Sequence, residues 1–456
     1  MSTTTPTIRI PGPAGFPLIG VLPYLSRDPC GFCLKAAAEG DGLVRLNAGP
    51  IKVYLVSHPD YVQQILVTNA ANYIKGSMMD GIRLALGNGL FTSNGDFWKR
   101  QRRLMQPAFH ARRIQDMVEH INKVVADGLK RWTPTIERGE PIDILTETIH
   151  LNIEIIMNTL FGATVESERS TRLLDLTNKV FHGMTERVWT FFLPRWIPTP
   201  GATAYQQAIT SLDEEIYSII ATRRANPVEH EDLLGMLLSI QDEETGERMS
   251  DGQIRDEIFT LFLAGYESTA SGLTWTWYLL SQHPKVAAKL REELDQVLGN
   301  CPPTYEDLPK LTYTRQVIDE AFRLYPAFPM FFRSSVDTDI LGPYQLPGGS
   351  QIILSPYATH RDPRYWDNSE TFDPDRFAPE RFDARVRHAY YPFGKGQRMC
   401  IGEPMSLTIA QILIATIVRA YEVELAPGVV ITPRYAMTYQ PRHGLPLILR
   451  PRSDKH

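Results

Sequence analysis

The sequence predicts a mainly α fold with a minor β part, built as one large domain. Three observations carry that reading. Apolar residues recur at helical spacing over most of the chain from His58 onward. One segment, Asp251 to Gln282, keeps a helical pattern without a break. Strand-like alternation is confined to short stretches rich in Pro and Gly. The 456 residues exceed the usual single-domain size. No internal repeat and no flexible linker divides them, so residues 1–456 are read as a single domain with β-rich parts near 43–56, 327–355 and 429–449.

The opening, Pro11-Gly12-Pro13 to Pro17 and Gly20, holds too much Pro and Gly for a helix and reads as a strap. It leads into a hairpin, Leu43 to Leu46 and Val53 to Val56, turning at Gly49-Pro50. Helical periods follow at Met117 to Trp132, Ile144 to Leu160, Thr203 to Arg224 and Asp232 to Ile240. The segment Asp251 to Gln282 has Ser250 as its N-cap and His283-Pro284 as its stop, a length of about 48 Å at 1.5 Å per residue, enough to cross the whole domain. Another helix ends near Tyr325-Pro326, and small strands and turns fill the stretch to Ser355. A last amphipathic helix runs from about Glu403 to Tyr421, and Val429 to Leu449 returns to strand and loop.

Composition excludes several classes. Apolar residues at 43% and charged residues at 22% are those of a folded globular chain. With 47 Lys and Arg against 52 Asp and Glu, the net charge of −5 gives no global basic field for nucleic acid. No run of about 18 apolar residues suggests a transmembrane anchor, and Met1 to Ile10 lacks a signal peptide's charged start, so a cytoplasmic protein is expected. Four cysteines, Cys30, Cys33, Cys301 and Cys400, are too few to staple such a chain. Cys30 and Cys33 form a C-x-x-C pair with no second pair for zinc, and two incidental thiols is the preferred reading. Nucleotide-binding glycine motifs and H-E-x-x-H are absent.

The most informative stretch is Phe393-Gly394-Lys395-Gly396-Gln397-Arg398-Met399-Cys400-Ile401-Gly402. A cysteine placed just before a helix meets free backbone N–H groups and the positive end of the dipole, which favour the thiolate and make the sulfur a soft-metal ligand. Gly396 and Gly402 leave room for a flat cofactor near the backbone, and Arg398 offers it a cation. The pattern F-x-x-G-x-R-x-C-x-G resembles the haem-binding loop of the cytochrome P450 family. The resemblance implies the P450 fold, with one long helix crossing over a haem b. It implies Cys400 as the axial thiolate on iron, and Phe393, Arg398 and Gly402 as part of the cofactor loop.

Other stretches agree at the family's spacing. Glu320-Ala321-Phe322-Arg323 resembles its E-x-x-R, where i and i+3 share a helix face and can pair. Phe372-Asp373-Pro374-Asp375-Arg376-Phe377 resembles its P-x-R-F segment, so Arg376 is expected to complete a structural network with that pair, with Arg381 as a later and less favoured candidate. Trp98 and Arg102 resemble the W-x-x-x-R that binds haem propionates, and Arg333 stands ten residues after Arg323 where the family commonly has another propionate arginine. Within the long helix, Ala264-Gly265-Tyr266-Glu267-Ser268-Thr269 resembles the [AG]-G-x-[DE]-T stretch over the haem. Glu267 and Ser268 are therefore the expected acid and alcohol for proton delivery to dioxygen, with Ser268 in place of the usual Thr. Gly in a helix costs about 1 kcal/mol, so Gly265 marks an opening or a close approach. Thr269 lies about 100° round from Ser268 and is the weaker candidate.

By position relative to these motifs, Phe91, Ala264, Phe328 and Met437 line an apolar substrate pocket, and Phe181 to Trp196, with Trp189, Phe191 and Phe192, is a candidate access region. The resemblance implies a haem-thiolate monooxygenase acting on a small apolar substrate such as a fatty acid, terpenoid or steroid. A peroxide-driven hydroxylase and a non-catalytic haem-thiolate sensor are the alternatives. Only 56 residues follow Cys400, so electrons are expected from a separate ferredoxin or flavodoxin with its flavoprotein reductase. Lys99, Arg100, Arg103 and Lys395 would form its docking surface on a monomeric protein.

Overall fold

The structure, a computed structural model, describes residues 8–48, 51–162, 167–190, 196–197, 199–226, 232–242 and 246–452. The long helix runs Asp251–Gln282 as expected, and the Ser250 hydroxyl takes the Gln253 N–H at 3.2 Å while the Gln253 side chain takes the Ser250 N–H at 2.8 Å. Two of the orphan donors at that end are thereby satisfied reciprocally. His283-Pro284 ends it and opens the next helix, Pro284–Leu298. Most of the long helix is buried, and it packs closely along helix Ile144–Phe161. A Cβ on Gly265 would lie 2.6 Å from Ile156 Cδ1, so this glycine permits a close helix approach.

The other helices follow the apolar periods: Ala111–Glu137 and Ala202–Ala225 extend past the expected ends, Leu233–Ser239 and Glu403–Ala420 stop a residue short, and Thr312–Leu324 ends just before Tyr325-Pro326. Three helices were not expected. Short helices Leu22–Arg27 and Pro29–Ala37 follow the strap, and a helix spans Ser167–Trp189. Phe181 is therefore a buried core residue, and Trp189 packs edge-on against Phe332 and Tyr435 at 6.2 and 6.1 Å. Trp196 is exposed, while Phe191 and Phe192 lie outside the described residues. Helix Glu403–Ala420 is long and apolar enough to cross a membrane, yet 67% of that window is buried inside the fold. It is a core helix.

Strands Leu43–Ala48 and Ile51–Val56 pair antiparallel with Val44 opposite Leu55. Gln351–Leu354 joins Ile51–Val56 in parallel, Phe331–Ser335 adds antiparallel, and Tyr73–Ile74 closes the five-stranded sheet. Because Ile74 pairs with Ser334, Lys75 emerges from the sheet beside Arg333. The C-terminal β part begins earlier than expected, at Tyr421–Leu425, which pairs with Pro446–Pro451, and hairpin Pro433–Ala436 with Thr438–Pro441 follows. All four cysteines are free. Cys30 and Cys33 are buried on one helix face, burial pushing the Cys33 thiol up to about 12, so both are protonated packing residues at neutral pH.

The expected structural network is present and fully buried. Arg323 grips Glu320 with Nε at 2.6 Å and Nη2 at 2.9 Å, both side chains at 0% exposure. Its remaining N–H groups go to the carbonyls of His360, Ser369 and Thr371 at 2.7, 2.6 and 3.1 Å, so the five donors of the guanidinium are all used. Arg376 reaches Glu320 at 3.2 Å, settling the choice against Arg381, which pairs at the surface with Asp373.

A buried pair broken on one side leaves an uncompensated charge. Arg323→Leu should lower the free energy of unfolding by about 3–5 kcal/mol in chemical denaturation. Arg381→Ala should change it by less than about 1 kcal/mol.

Candidate active site

A cavity of about 240 Å³ lies between the long helix, the sheet and the Cys400 loop. Its wall is mostly apolar, and the expected pocket residues Phe91, Ala264, Phe328 and Met437 all line it. Met437 reaches it from the tip of its hairpin in the left-handed region, at φ 66°.

Cys400 is positioned by the backbone. Its N–H donates to the Phe393 carbonyl at 2.9 Å, closing the loop around the turn Gly396–Arg398. Gly396 has φ +66°, and a Cβ there would sit 2.2 Å from the Leu66 carbonyl oxygen. It is required by loop packing rather than by a cofactor. A Cβ on Gly402 would lie 3.9 Å from the Cys400 sulfur, an ordinary contact distance. Cys400 counts as exposed although protein surrounds it, because the surface it shows belongs to the cavity. Burial pushes its thiol up, while the Gly402 and Glu403 amides and the Arg102 charge pull the other way and the Glu403 carboxyl opposes them. The helix start alone therefore does not outweigh desolvation, contrary to the sequence expectation.

Four cations line the same cavity: Lys75, Arg102, Arg333 and Arg398. Among the described residues none of them has a carboxylate within ion-pair distance. Each instead rests on a neutral group. Arg398 stacks 3.7 Å over the Trp98 ring and donates to the Ser93 carbonyl at 2.9 Å. Arg102 donates to the Met399 carbonyl at 3.0 Å and Arg333 to that of Phe332 at 2.8 Å. Lys75 Nζ stands 4.4 Å from the centre of the Phe91 ring. Burial first, then the neighbouring arginines, hold Lys75 well below the usual lysine range, and the same causes bring Arg398 down to about 9. Burial alone lowers Arg333 to about 10. A thiol at one wall, four cations without counter-charges and apolar surfaces elsewhere fit a flat apolar cofactor bearing a thiolate-ligated metal and acid groups, as haem does. Lys75 was missed in the sequence, where a single lysine after a short strand carries no signal.

On the long helix, Thr260, Ala264 and Ser268 recur every fourth residue and face the cavity. The Ser268 hydroxyl donates to the Ala264 carbonyl at 2.5 Å. Thr269 also lines the cavity, its hydroxyl 3.0 Å from that of Ser406. Glu267 does not. Its carboxylate faces the C-terminal hairpin, accepting from Thr438 Oγ1 at 2.9 Å and from Gln440 Nε2, and its second oxygen has no partner. Burial lifts its pKa to about 7. The expected acid–alcohol pair is thus divided between two faces of the helix.

The expected docking charges are also partly consumed. Arg100 pairs with Glu247 at 3.0 Å and lies 3.7 Å from Asp242, and Arg103 holds the same Asp242 at 2.8 Å. Lys99 pairs with Asp96, and Lys395 turns back onto the carbonyls of Arg387 and His388, with burial bringing its pKa down to about 8.

Residues 10–446 match the family described as Cytochrome P450. The chain is 37% identical over 429 residues to cyclooctatin synthase of Streptomyces melanosporofaciens, covering 93% of this chain and 92% of that protein. It is 34% identical to pentalenene oxygenase of Streptomyces avermitilis, covering 94% and 95%. It is also 34% identical to cyclooctat-9-en-7-ol 5-monooxygenase of Streptomyces melanosporofaciens, covering 91% and 90%. Among solved structures, the cytochrome P450DA heme domain superposes with a TM-score of 0.87 at 28% identity, covering 98% of this chain and 97% of that one.

Lys75→Met should speed haem loss to a haem-scavenging protein, followed by absorbance, because one of the four cations is gone. The buried acid gives a pH signature. Glu267 moves from an ordinary 4.5 to about 7 in the fold, so the folded state holds a proton that the unfolded chain has released. Stability should fall as pH rises from about 4.5 to about 7, and Glu267→Gln should flatten that part of the profile in denaturant titrations.

Proposed function

The chain belongs to the cytochrome P450 family and is a monooxygenase, and from that premise we propose that it hydroxylates a polycyclic terpenoid. The observation that carries this reading is the cavity, whose apolar and aromatic wall surrounds Ser268 and Cys400 and suits a rigid hydrocarbon. The names of three relatives support it, since two refer to cyclooctat compounds or pentalenene as substrates and a third to cyclooctatin as product.

When bound, haem supplies the activation of dioxygen and the transfer of one oxygen atom to a C–H bond. The residues of this chain would do the rest. Cys400 provides the thiolate, while Lys75, Arg102, Arg333 and Arg398 hold the propionates and Trp98 supports Arg398 from below. Phe91, Phe328 and Met437 exclude water and hold the substrate against the Ala264 turn. Ser268 is the group that can hold a proton-bearing water there. Its hydroxyl rests on a carbonyl four residues back, and turning about one side-chain bond frees it toward the cavity. Electrons would come from a ferredoxin or flavodoxin. A shallow groove lined by Lys99, Arg102, Arg103, His110 and Gln397, beside the Cys400 loop, is the surface for it.

Titrating the haem-loaded protein with terpenes, fatty acids and steroids, and following the haem absorption band, tests the substrate class. The terpenes should produce the largest shift, and binding confined to fatty acids would reject the reading. Ser268→Ala should divert electrons from product to hydrogen peroxide, lowering product per electron pair on the order of tenfold, with Ser268→Thr restoring it. Unchanged coupling in the alanine variant would remove Ser268 from proton delivery.

A further inference from the structure

Most polar side chains that line the cavity already have a task or a partner. The four cations and Trp98 serve the haem propionates, and Cys400 serves the metal. The Ser268 and Thr269 hydroxyls are bonded to the Ala264 carbonyl and to Ser406, and the Thr260 hydroxyl is sealed in beside Gly89. Tyr435 has neither. It lines the cavity from strand Pro433–Ala436, and among the described residues its hydroxyl has no hydrogen-bond partner. Unlike the Thr260 hydroxyl, it keeps accessible surface, on a half-buried residue. Burial, with Cys30 and Cys33 adding to it, pushes the phenol above its usual range, so it is a neutral donor at pH 7. The surface that a group so enclosed still shows belongs to the cavity.

The ring is held although its hydroxyl is free. Trp189 meets it edge-on at 6.1 Å and is itself backed by Phe332 at 6.2 Å. The polar neighbours acting on the phenol, Cys30 and Cys33, are weak acceptors, and the Cys33 Sγ is turned to the Met330 sulfur 3.9 Å away. Helices Pro29–Ala37 and Ser167–Trp189, which supply these neighbours, have no part in the Cys400 loop. Met437 lies two residues further along, at most about 7 Å away along the chain, and lines the same cavity. A rigid, unpaired donor in an apolar wall is costly until an acceptor reaches it, and little ordering is then needed to bind one. The acceptor that fits is a neutral oxygen, because a carboxylate buried here would need a cation, and the cavity's cations are engaged by the propionates. We infer that the Tyr435 hydroxyl donates to a ketone or hydroxyl oxygen that the substrate already carries, and so fixes which end of the skeleton is turned away from Cys400. The inference rests on the terpenoid reading above and narrows it to terpenoids oxygenated before they reach this protein.

The test is isothermal titration of the haem-loaded protein, unaltered and as Tyr435→Phe, with a polycyclic terpene hydrocarbon and with ketones of the same skeleton that differ in position. Tyr435→Phe keeps the ring and its Trp189 contact and removes only the hydroxyl. It should weaken the tightest-binding ketone about fivefold and leave the hydrocarbon unchanged, which also reports an intact cavity. Ketones that bind both proteins alike, or a ketone and hydrocarbon weakened together, would overturn the hydroxyl contact and leave the terpenoid reading standing. Binding of no terpenoid, with fatty acids or steroids bound instead, would remove both.

Discussion

The buried Glu320–Arg323 pair is the constraint from which the proximal half of the molecule is built. Removing two charges from water costs several kcal/mol per ion, and only complete hydrogen bonding offsets it. Here the guanidinium spends its donors on one carboxylate and three carbonyls, and Glu320 also accepts the Asp373 N–H at 3.0 Å. Those acceptors come from chain segments far apart in sequence, so the pair forms only when they have assembled. The constraint reaches the cysteine loop. His360 Nδ1 meets the Arg323 carbonyl at 3.2 Å, and its Nε2 accepts the Tyr391 N–H at 3.1 Å. Burial, with the Arg323 charge adding to it, keeps that ring neutral, so one nitrogen donates and the other accepts. Two residues on, the Phe393 carbonyl receives the Cys400 N–H.

The cavity reverses this arrangement. In the network two guanidiniums share the Glu320 carboxylate and spend their other donors on carbonyls, whereas at the cavity four cations face inward with neutral supports behind them. A fold that satisfies its structural arginines so completely leaves others unpaired where an anionic guest is to be held. The long helix divides its polar groups in the same way. Ser271 and Trp275 donate to the Tyr439 carbonyl at 2.7 and 2.6 Å and serve packing, while the Ser268 hydroxyl, on the cavity side, has only a local bond to give up.

Local sequence signals located the elements and the cysteine well, and tertiary consequences poorly. Helix Asp251–Gln282 was legible because a cap, an unbroken period and a Pro all agree. Helix Ser167–Trp189 was not, because its aromatic end was read as part of an access region, whereas Phe181 and Trp189 pack against the core. Cys400, Arg323 and Arg376 were readable through the resemblance of their segments to the family's motifs. Glu267 was misplaced for a reason the sequence already contained: it precedes Ser268 by one residue, and neighbours on a helix point about 100° apart. The test applied to Thr269 also applied to Glu267, although Thr269 reaches the cavity after all. Lys75 and the pairing of Arg103 with Asp242 depend on segments brought together by the fold, and no local pattern encodes them.

The hairpin that carries Met437 is held to the long helix through the residues that follow its tip. Thr438 and Gln440 bind Glu267, and the Tyr439 carbonyl takes two further bonds. The tip's backbone is therefore fixed by its neighbours and not by the methionine side chain, which only fills space. Met437 also occupies a left-handed conformation that Gly, Asn and Asp adopt more readily. A substitution at this one position would accordingly reshape the chamber for a new guest while the scaffold beneath it keeps its bonds.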